Sequence, residues 1–368
     1  MNKINLLFIV PSLRGGGAER VVTILLKYID RSKFDLTLAL LKKEGKYLED
    51  IPSDVKVVDL QVKRARYSIF KIIELTNKEK PDIAFSTLGY LNLIISIIKP
   101  FLSKKTVFIG RESNTVSVKN KLEKYPRLFD FLYKKFYSNF DSIIAQANFM
   151  KNDLVENYGI SSEKITVINN PIDVQKVEEM SNKDIEFSFP KDKINLLAVG
   201  KLKHQKGFDN LLTMMSQIDE KYHLTILGEG PDEKSLKEQS KKLNLENRVS
   251  MAGFQSNPYA FMKQADVFLL SSRYEGFPNV VSEANLCGIP TIAFNSPGGT
   301  EEIVREDNGL LIENDNFKAF EHTVNLFELD KYDEEVIKSS IVSRFSNEII
   351  VKIYEKHFIK CMEQKNAK

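Results

Sequence analysis

SSRYEGFPNVVSEANLCGIPT, from Ser271 to Thr291, changes from a strand pattern to a helix pattern within a few residues. The apolar run DVFLLSS ends just before Glu275, and the GFP turn at 276–278 is followed by a segment that is compatible with a helix from about Asn279. In open α/β sheets, ligands bind at the edge where the strands end. The stretch therefore predicts an α/β sheet with a ligand site at its carboxyl edge.

Two carboxylates, Glu275 and Glu283, lie on either side of this turn. The free N–H groups of the helix start, from about Asn279 to Val281, would suit a phosphate. A carboxylate gains nothing beside a phosphate, so each Glu is expected to accept hydrogen bonds from hydroxyl groups. Phosphate together with several hydroxyls describes a nucleotide sugar. The alternative is ordinary α/β structure, since the helix dipole alone favours Glu near a helix start.

The length of 368 residues exceeds the usual limit for a single core and predicts two domains. INLLFIVPSLRGGGAERVVTILLKYI, from Ile4, and INLLAVGKLKHQKGFDNLLTMMSQI, from Ile194, both read as a strand, a glycine-containing loop and a helix. Each opens an alternation of strands and helices, which is typical of a doubly wound parallel sheet. We predict two Rossmann-like domains, residues 1–172 and 173–345, that face each other across a cleft.

Composition places the chain among globular proteins, because 42% of its residues are hydrophobic and 28% are charged. Two cysteines, Cys287 and Cys361, are too few for a disulfide scaffold and indicate a reducing compartment. The first apolar run leads straight into a glycine loop, so we interpret it as a strand and not as a signal peptide. The stretch LNLIISIIKPFL is too short and too polar to span a membrane. These features predict a cytoplasmic protein.

The net charge of +3 is unevenly distributed. Residues 99–138 interleave Lys and Arg with Phe, Tyr and Leu, and VKRARYSIFK at 62–71 adds a second basic and aromatic cluster. Such a surface is typical of attachment to an anionic membrane, here the cytoplasmic face of the inner membrane. The alternative is a solvated helix whose lysines extend along apolar surface. Nucleic acid is not an expected partner, because no nucleic-acid motif accompanies the charge.

Two glycine-containing loops are predicted at the cleft. Gly15, Gly16 and Gly17 permit close approach of the backbone to a ligand. Arg20 breaks the G-x-G-x-x-G fingerprint, so a nicotinamide cofactor is not favoured and no cofactor is expected. In the second half, Lys201 and Lys206 stand between Gly200 and Gly207 and have the charge to neutralise a diphosphate as it leaves.

Further candidates follow other predicted strands. Gly298 and Gly299, in SPGGTEEI at 296–303, either wrap a sugar with backbone amides or form a simple turn. Gly228 and Phe254 stand where a base could be held. Arg111, in FIGRESN, either contacts acceptor phosphate or donor sugar, or forms an ion pair with Glu112 or another acid.

GGGAER, GKLKHQKG, EGFPNVVSEA and SPGGTEEI, in this order, resemble glycosyltransferase family 4, whose members are retaining enzymes with the GT-B fold. The resemblance covers nearly the whole chain and is weaker between Gly45 and Asn139. It implies that Glu275 lies near the donor sugar hydroxyls, that Glu283 holds the ribose, and that Lys201 and Lys206 meet the diphosphate. Lys201 departs from the Arg that is frequent there and loses a bidentate donor. The resemblance also assigns backbone contacts with the sugar and phosphate to Gly276, Phe277, Pro278, Asn279 and Val280, and contacts with the diphosphate to Gly16 and Gly17.

The implied mechanism is front-face attack, in which the departing diphosphate takes the acceptor proton. The chain has no D-x-D triplet, so no metal is expected.

The closing segment RFSNEIIVKIYEKHFIKCME reads as a helix. By resemblance, residues 1–172 form the acceptor domain and residues 173–345 form the nucleotide-sugar donor domain. The resemblance also implies that residues 346–368 cross back to the first domain, with a hinge near Ser343 to Ser346.

The predicted function is transfer of a sugar, such as an N-acetylhexosamine, from a UDP-sugar to a lipid-linked or saccharide acceptor in the assembly of O-antigen, capsule or related surface polysaccharide. Glu275, Lys206 and Lys201 are the predicted catalytic residues. A nucleotide-sugar epimerase of the same fold and a catalytically silent binding or scaffold protein are the alternatives.

Overall fold

The computed structural model describes residues 3–62 and 67–367, and the chain divides into two compact units. Unit 1 comprises residues 1–171 together with 347–368, and unit 2 comprises residues 172–346. Lys63, Arg64 and Arg66 of the predicted upstream basic cluster lie outside the described residues. No helix within the described ranges combines the length and the apolar character that crossing a membrane requires.

Unit 1 is built on a parallel sheet. Its strands in the described ranges are β1 (Ile4–Val10), β2 (Phe34–Leu40), β3 (Lys56–Asp59), β4 (Ile83–Thr87), β5 (Val107–Arg111), β6 (Ser142–Ala145) and β7 (Ile165–Val167). The order across the sheet is β3-β2-β1-β4-β5-β6-β7. Its first six helices there are α1 (Gly17–Tyr28), α2 (Ile69–Glu79), α3 (Gly89–Ile98), α4 (Val116–Lys121), α5 (Pro126–Phe136) and α6 (Asn148–Tyr158).

Unit 2 repeats the plan with a shorter sheet. Its strands are β8 (Ile194–Val199), β9 (Tyr222–Leu227), β10 (Val249–Met251), β11 (Val267–Leu270), β12 (Thr291–Asn295) and β13 (Gly309–Glu313), in the order β10-β9-β8-β11-β12-β13. Its helices are α7 (Val174–Ser181), α8 (Phe208–Met215), α9 (Glu233–Lys242), α10 (Pro258–Gln264), α11 (Asn279–Leu286), α12 (Thr300–Ile303), α13 (Phe317–Asn325) and α14 (Glu334–Phe345).

The central strands are apolar on both faces, which is why each sheet is covered on both sides. In β1, Phe8 belongs to one hydrophobic cluster, whereas its neighbours Leu7 and Ile9 belong to the cluster on the opposite face. In β8, Leu197 and Leu196 divide in the same way. Near-continuous apolar runs of this kind are typical of parallel strands that are buried between two layers of helices. The predicted pair of doubly wound α/β domains is confirmed.

The end of the chain forms α15 (Asn347–Asn366), which packs in unit 1. Tyr354 and Phe358 make edge-on ring contacts with Phe85, at centroid distances of 6.2 and 5.5 Å. α14 ends at Phe345 and α15 begins at Asn347, one residue after the predicted start of the closing helix at residue 346. Ser346 between them has extended backbone (φ −56°, ψ 147°). Strand β7 was not among the predicted strands, since its three residues ITV are too short to give a clear period.

Each sheet has one place where the strand order reverses, between β1 and β4 in unit 1 and between β8 and β11 in unit 2. Loops that leave the two strands there run in opposite directions, and the gap between them is where open α/β sheets bind ligands. The unit 2 crevice is defined by the loops after β8 and β11. The unit 1 crevice is defined by the loops after β1 and β4, with the loop after the adjacent strand β5.

Candidate functional site

An ion pair spans the unit 2 crevice. Lys206 Nζ, from the loop after β8, donates to Glu275 Oε1, from the loop after β11, at 2.6 Å. Ser272 Oγ donates to the same oxygen at 2.6 Å. The Glu275 side chain is 8% exposed and that of Lys206 is 16% exposed. The structure thus brings together two of the predicted catalytic residues and adds Ser272, which the sequence analysis missed.

The two loops of the crevice are joined by hydrogen bonds to their backbone carbonyl groups. Ser271 Oγ donates to the carbonyl oxygens of Lys206 and Gly207, at 2.9 and 3.0 Å. Arg273 N donates to Gln205 O at 2.8 Å, and Gln205 Nε2 donates back to Tyr274 O at 2.9 Å. These bonds fix the position of Lys206 relative to Glu275 without any ligand.

A guanidinium fork adds a further link between the same loops. Arg273 donates to both carboxylate oxygens of Asp209, at 2.9 and 2.7 Å, and to His204 O at 2.6 Å. Burial is the largest single influence on the pKa of Asp209 and acts to raise it, but the hydrogen bonds and the charge of Arg273, together with a backbone hydrogen bond, leave that pKa below its usual value. Bidentate Arg–carboxylate pairs are geometrically specific, so this pair holds the lysine loop in one arrangement.

Glycines permit the close approach of these loops. Gly207 has φ +66°, and a Cβ there would collide with the carbonyl oxygen of Ser271. Gly228, which follows β9, has φ +145°, and a Cβ would collide with the carbonyl oxygen of Gly200. A Cβ on Gly200 would lie 3.3 Å from Cε of Lys206. The predicted residues Gly200 and Gly228 therefore support the lysine loop because they lack a side chain.

The loop with Gly298 and Gly299 is attached to the glutamate loop. Glu275 N donates to Pro297 O at 2.9 Å, and Gly299 N donates to Gly276 O at 2.8 Å. Gly298 has φ +144°, and a Cβ there would collide with Glu275 O. The structure thus places this loop directly against Glu275, while its contact with a sugar stays a prediction.

The start of α11 differs from the prediction. Asn279 N donates to Phe277 O and Val281 N donates to Pro278 O, both at 2.9 Å. The prediction of free amides from Asn279 to Val281 is therefore wrong for these two groups, because the Pro278 turn uses them internally. The Phe277 ring packs on Phe345 at 5.4 Å in the core, so its side chain serves packing.

The remaining donor-site candidates lie at the same sheet edge or on α11. Glu283 is buried on α11, and Val280 beside it is half-buried. Phe254, after β10, is 53% exposed. Lys201 is exposed at the start of the lysine loop. Their contacts with a ligand stay predictions.

Several polar groups near the site were missed by the sequence analysis. Lys203 is half-buried in the lysine loop, and its burial together with the charge of Lys206 lowers its pKa. The buried hydroxyls of Ser282, Ser296 and Thr300 have no hydrogen-bond partner among the described residues. The only signal for them in the sequence is their position inside the recognised motifs, since burial of a hydroxyl depends on tertiary packing.

In unit 1, Gly16 precedes α1 and Gly17 is its first residue, so both stand at the carboxyl end of β1. Their contact with a diphosphate stays a prediction.

Arg111 is different, because its side chain is 0% exposed. Its Nε donates to Tyr354 Oη at 3.0 Å, and its other nitrogens donate to Thr87 Oγ1 and Asn170 Oδ1. The predicted ligand contact and the alternative ion pair with Glu112 are both wrong, because Arg111 joins β4, β5 and α15 inside the core.

Comparisons with known proteins agree with this geometry. The sequence model of Glycosyltransferase Family 4 matches residues 15–176, and that of Glycosyl transferases group 1 matches residues 179–341. The chain is 31% identical over 335 residues to the N-acetylgalactosamine-N,N'-diacetylbacillosaminyl-diphospho-undecaprenol 4-alpha-N-acetylgalactosaminyltransferase of Campylobacter jejuni, covering 88% of this chain and 90% of that protein.

Solved structures show the same fold. A glycosyltransferase from Rickettsia africae superposes with a TM-score of 0.80 at 18% identity, covering 98% of this chain and 99% of that one. Anabaena HepE in complex with UDP superposes with a TM-score of 0.76 at 19% identity, covering 97% of this chain and all of that one. Two doubly wound units, together with these family and structural matches, define a glycosyltransferase of the GT-B fold. The chain belongs to glycosyltransferase family 4.

Proposed function

We propose that this glycosyltransferase moves a sugar from a UDP-sugar to a lipid-linked acceptor, with retention of configuration, in the assembly of a surface polysaccharide. The observation that carries the proposal is the buried pair of Lys206 and Glu275 in the unit 2 crevice. The C. jejuni relative supports a lipid-linked acceptor and an N-acetylhexosamine donor, since its name contains both. HepE supports a UDP-linked donor, because it has been solved with UDP.

The geometry suggests a role for each group of the pair. Lys206 and Ser272 both occupy Oε1 of Glu275. Oε2 is then the oxygen that accepts a hydroxyl of the donor sugar, and Glu283 accepts the ribose hydroxyls. Lys206 contributes positive charge to the diphosphate, with Lys201 and Lys203 in the same loop. Positive groups that are fixed before the reaction stabilise charge that develops on a leaving group.

The proposed step needs no side-chain base. The bond between the anomeric carbon and the diphosphate oxygen breaks with its electron pair on the diphosphate. The acceptor hydroxyl oxygen forms the new bond on the same face of the sugar, and its proton passes to the departing diphosphate oxygen. The site's contribution is therefore to position the donor and to stabilise UDP as it leaves.

A panel of nucleotide sugars, assayed for slow hydrolysis without acceptor, tests the donor assignment. We expect one UDP-sugar to be hydrolysed fastest and Glu275→Gln to slow its hydrolysis by about 10²–10³-fold, because a group that orients the reacting sugar is lost. Glu334→Gln is the matched control, since Glu334 also accepts a lysine ammonium, from Lys263, but lies on α14. Equal rates for the two variants would remove Glu275 from the site.

The same assay separates the alternatives. An epimerase would convert the sugar and leave it attached to the nucleotide, whereas a silent protein would bind the nucleotide sugar unchanged. Release of UDP together with free sugar is the outcome expected of a transferase that lacks its acceptor.

A basic-aromatic row on unit 1 supports attachment to an anionic membrane. Along α4 and α5 the row exposes four apolar side chains and five basic ones, which are Leu122, Tyr125, Leu128, Phe131, Lys121, Lys124, Arg127, Lys134 and Lys135. The two acids between residues 116 and 136 have partners elsewhere: Glu123 bonds to Tyr90, and Asp130 accepts from Asn120 and Tyr158. Exposed rings among lysines suit the interface of an anionic bilayer.

Vesicle sedimentation tests this attachment. We expect the protein to sediment with vesicles of phosphatidylglycerol but not of phosphatidylcholine, and high salt to release it. Lys124→Glu with Arg127→Glu should abolish sedimentation, whereas the same reversal at Lys241 and Lys242, exposed at the end of α9, should not. If both double variants fail to sediment with the vesicles, membrane binding depends on net charge and not on the basic-aromatic row.

A further inference from the structure

Three polar side chains converge on Gly89, the first residue of α3, in the unit 1 crevice. A Cβ on Gly89 would lie 2.8 Å from Tyr133 Oη, 3.3 Å from Lys119 Nζ and 3.6 Å from Glu112 Oε2. None of the three was predicted as a site residue. The cluster lies where β4 and β5 end, at the sheet edge that binds ligands in this class of fold.

Glu112 is the buried member of the cluster. Its Oε1 accepts hydrogen bonds from Tyr137 Oη and, at 3.4 Å, from Asn92 Nδ2. Burial raises the pKa of Glu112, although these bonds and the charge of Lys119 act in the opposite direction. Oε1 of Glu112 is thus held by neutral partners.

Lys119 is the cation of the cluster. Its side chain is half-buried on α4, with Nζ 4.4 Å from the centroid of the Tyr90 ring. Within residues 3–62 and 67–367, no carboxylate lies close enough to Lys119 to form an ion pair. One helical turn earlier, Thr115 is 2% exposed, and its Oγ1 has no hydrogen-bond partner among the described residues.

The backbone beside the cluster is strained. Leu88, between β4 and α3, has φ +79° and ψ 120°, a region that residues with a side chain rarely adopt. Such strain costs about 1–3 kcal/mol and is concentrated at ligand sites and active sites. It persists here because the chain turns sharply to place Gly89 against Tyr133 and Lys119.

We propose that Lys119 binds the phosphate groups of the acceptor, a lipid diphosphate, in the unit 1 crevice. This inference rests on the proposed function and names the part of the acceptor that unit 1 recognises. A half-buried ammonium without an ion pair gains a charge-assisted hydrogen bond from a phosphate oxygen. A buried hydroxyl such as that of Thr115, in the turn that leads into α4, is the type of donor that adds to a phosphate site.

The surroundings favour a diphosphate that carries a lipid. The Tyr90 ring beneath Lys119 packs edge-on against Phe129 of α5, at a centroid distance of 5.5 Å. Helix α5 also carries Leu128 and Phe131 of the basic-aromatic row. Apolar side chains therefore continue from Lys119 to the surface proposed to meet the membrane, which is the path that a lipid chain would follow.

Calorimetric titration of the full-length protein saturated with UDP tests this site, because UDP occupies the donor site. The probes are farnesyl diphosphate, farnesol and inorganic pyrophosphate. We expect farnesyl diphosphate to bind and Lys119→Ala to weaken its binding about tenfold, the value of one charge-assisted hydrogen bond. Lys119→Arg should restore most of the affinity. Lys78→Ala, which removes an exposed lysine from the last turn of α2, should leave the affinity unchanged.

The other probes separate the sources of binding. Equal affinity of parent and Lys119→Ala for farnesyl diphosphate would overturn the proposal, as would farnesol binding as tightly as farnesyl diphosphate. If pyrophosphate binds as tightly as farnesyl diphosphate, the site recognises diphosphate alone. This outcome would overturn the proposal that the site recognises a lipid-linked diphosphate. A parent that neither binds UDP nor hydrolyses any UDP-sugar would refute the proposed function instead.

Discussion

The crevices of the two units have the same topology but different bonding. In unit 2 the ammonium of Lys206 already has a carboxylate partner, Glu275, and the loops that carry them share several hydrogen bonds. In unit 1 the carboxylate of Glu112 is held by Tyr137 and Asn92, and the ammonium of Lys119 lies over an aromatic ring without an ion pair in the described part of the chain.

The difference shows how one fold serves two kinds of ligand. A crevice whose charges are paired and whose loops are tied is preorganised, so little rearrangement is needed when charge develops during the reaction. In a crevice whose ammonium makes no ion pair, binding of an anion relieves the cost of burying that charge. We therefore interpret unit 2 as the reacting site and unit 1 as the site that holds a charged acceptor.

The largest expected effect comes from breaking the ion pair in unit 2. Lys206→Met should lower kcat for sugar transfer about 10²–10³-fold, because a positive group at the leaving diphosphate is lost. Steady-state kinetics with the preferred UDP-sugar measure this loss. Lys263→Met is the matched control, since Lys263 is also paired with a glutamate, Glu334, on the outer helices of unit 2. A similar loss of kcat in both variants would assign the effect to stability.

In unit 1 the next largest effect is expected at Arg111. Arg111→Met should lower the free energy of unfolding by about 3–5 kcal/mol, because it removes one member of a buried hydrogen-bonded network. Tyr354→Phe, which removes one of its acceptors, should cost about 1 kcal/mol. Urea denaturation followed by circular dichroism measures both. UDP affinity should be unchanged, and a lower UDP affinity in Arg111→Met would restore a role for this residue in binding.

Alanine substitutions at two glycines test how tightly the lysine loop is held. Gly207 and Gly159 have almost the same backbone, with φ +66° and +67°, but a Cβ collides with Ser271 O only at Gly207 and has open space at Gly159. Gly159→Ala should therefore cost about 1 kcal/mol of unfolding free energy from backbone strain alone. Gly207→Ala should cost more and should also lower kcat, since the lysine loop must move. Equal losses of unfolding free energy in the two variants would mean that the lysine loop shifts without cost.

The last expected effect is a pH dependence of stability in unit 1. Burial lowers the pKa of His357, whose Nε2 lies 3.0 Å from Ser142 Oγ, to about 4. The unfolded chain titrates near pH 6.5, so between these values it binds more protons than the folded chain. The stabilisation is complete above pH 6.5 and is lost as pH falls towards 4, by at most about 1.4 kcal/mol per pH unit. His357→Gln should flatten this slope in urea titrations from pH 7 to 4.5, and an unchanged slope would exclude His357 as its source.

The sequence predicted the features that depend on local pattern. The strand, turn and helix around Glu275 were read correctly because apolar period and Gly-Pro turns are local signals, and the helix begins at Asn279 as predicted. Lys206 and Glu275 were placed in one site because both follow strands of a parallel sheet. The predictions that were wrong depended on burial. Arg111 was interpreted as a cleft residue, although the core accepts it through Tyr354, Thr87 and Asn170.

By itself, the sequence determined the two doubly wound α/β units, the family and the loops that carry the chemistry, because periodicity and motif order do not require knowledge of contacts. Only the tertiary structure decided which charges have partners. It paired Lys206 with Glu275. It also left Lys119 without an ion pair among the described residues. Pairing depends on distances between residues far apart in the chain, and packing alone sets those distances.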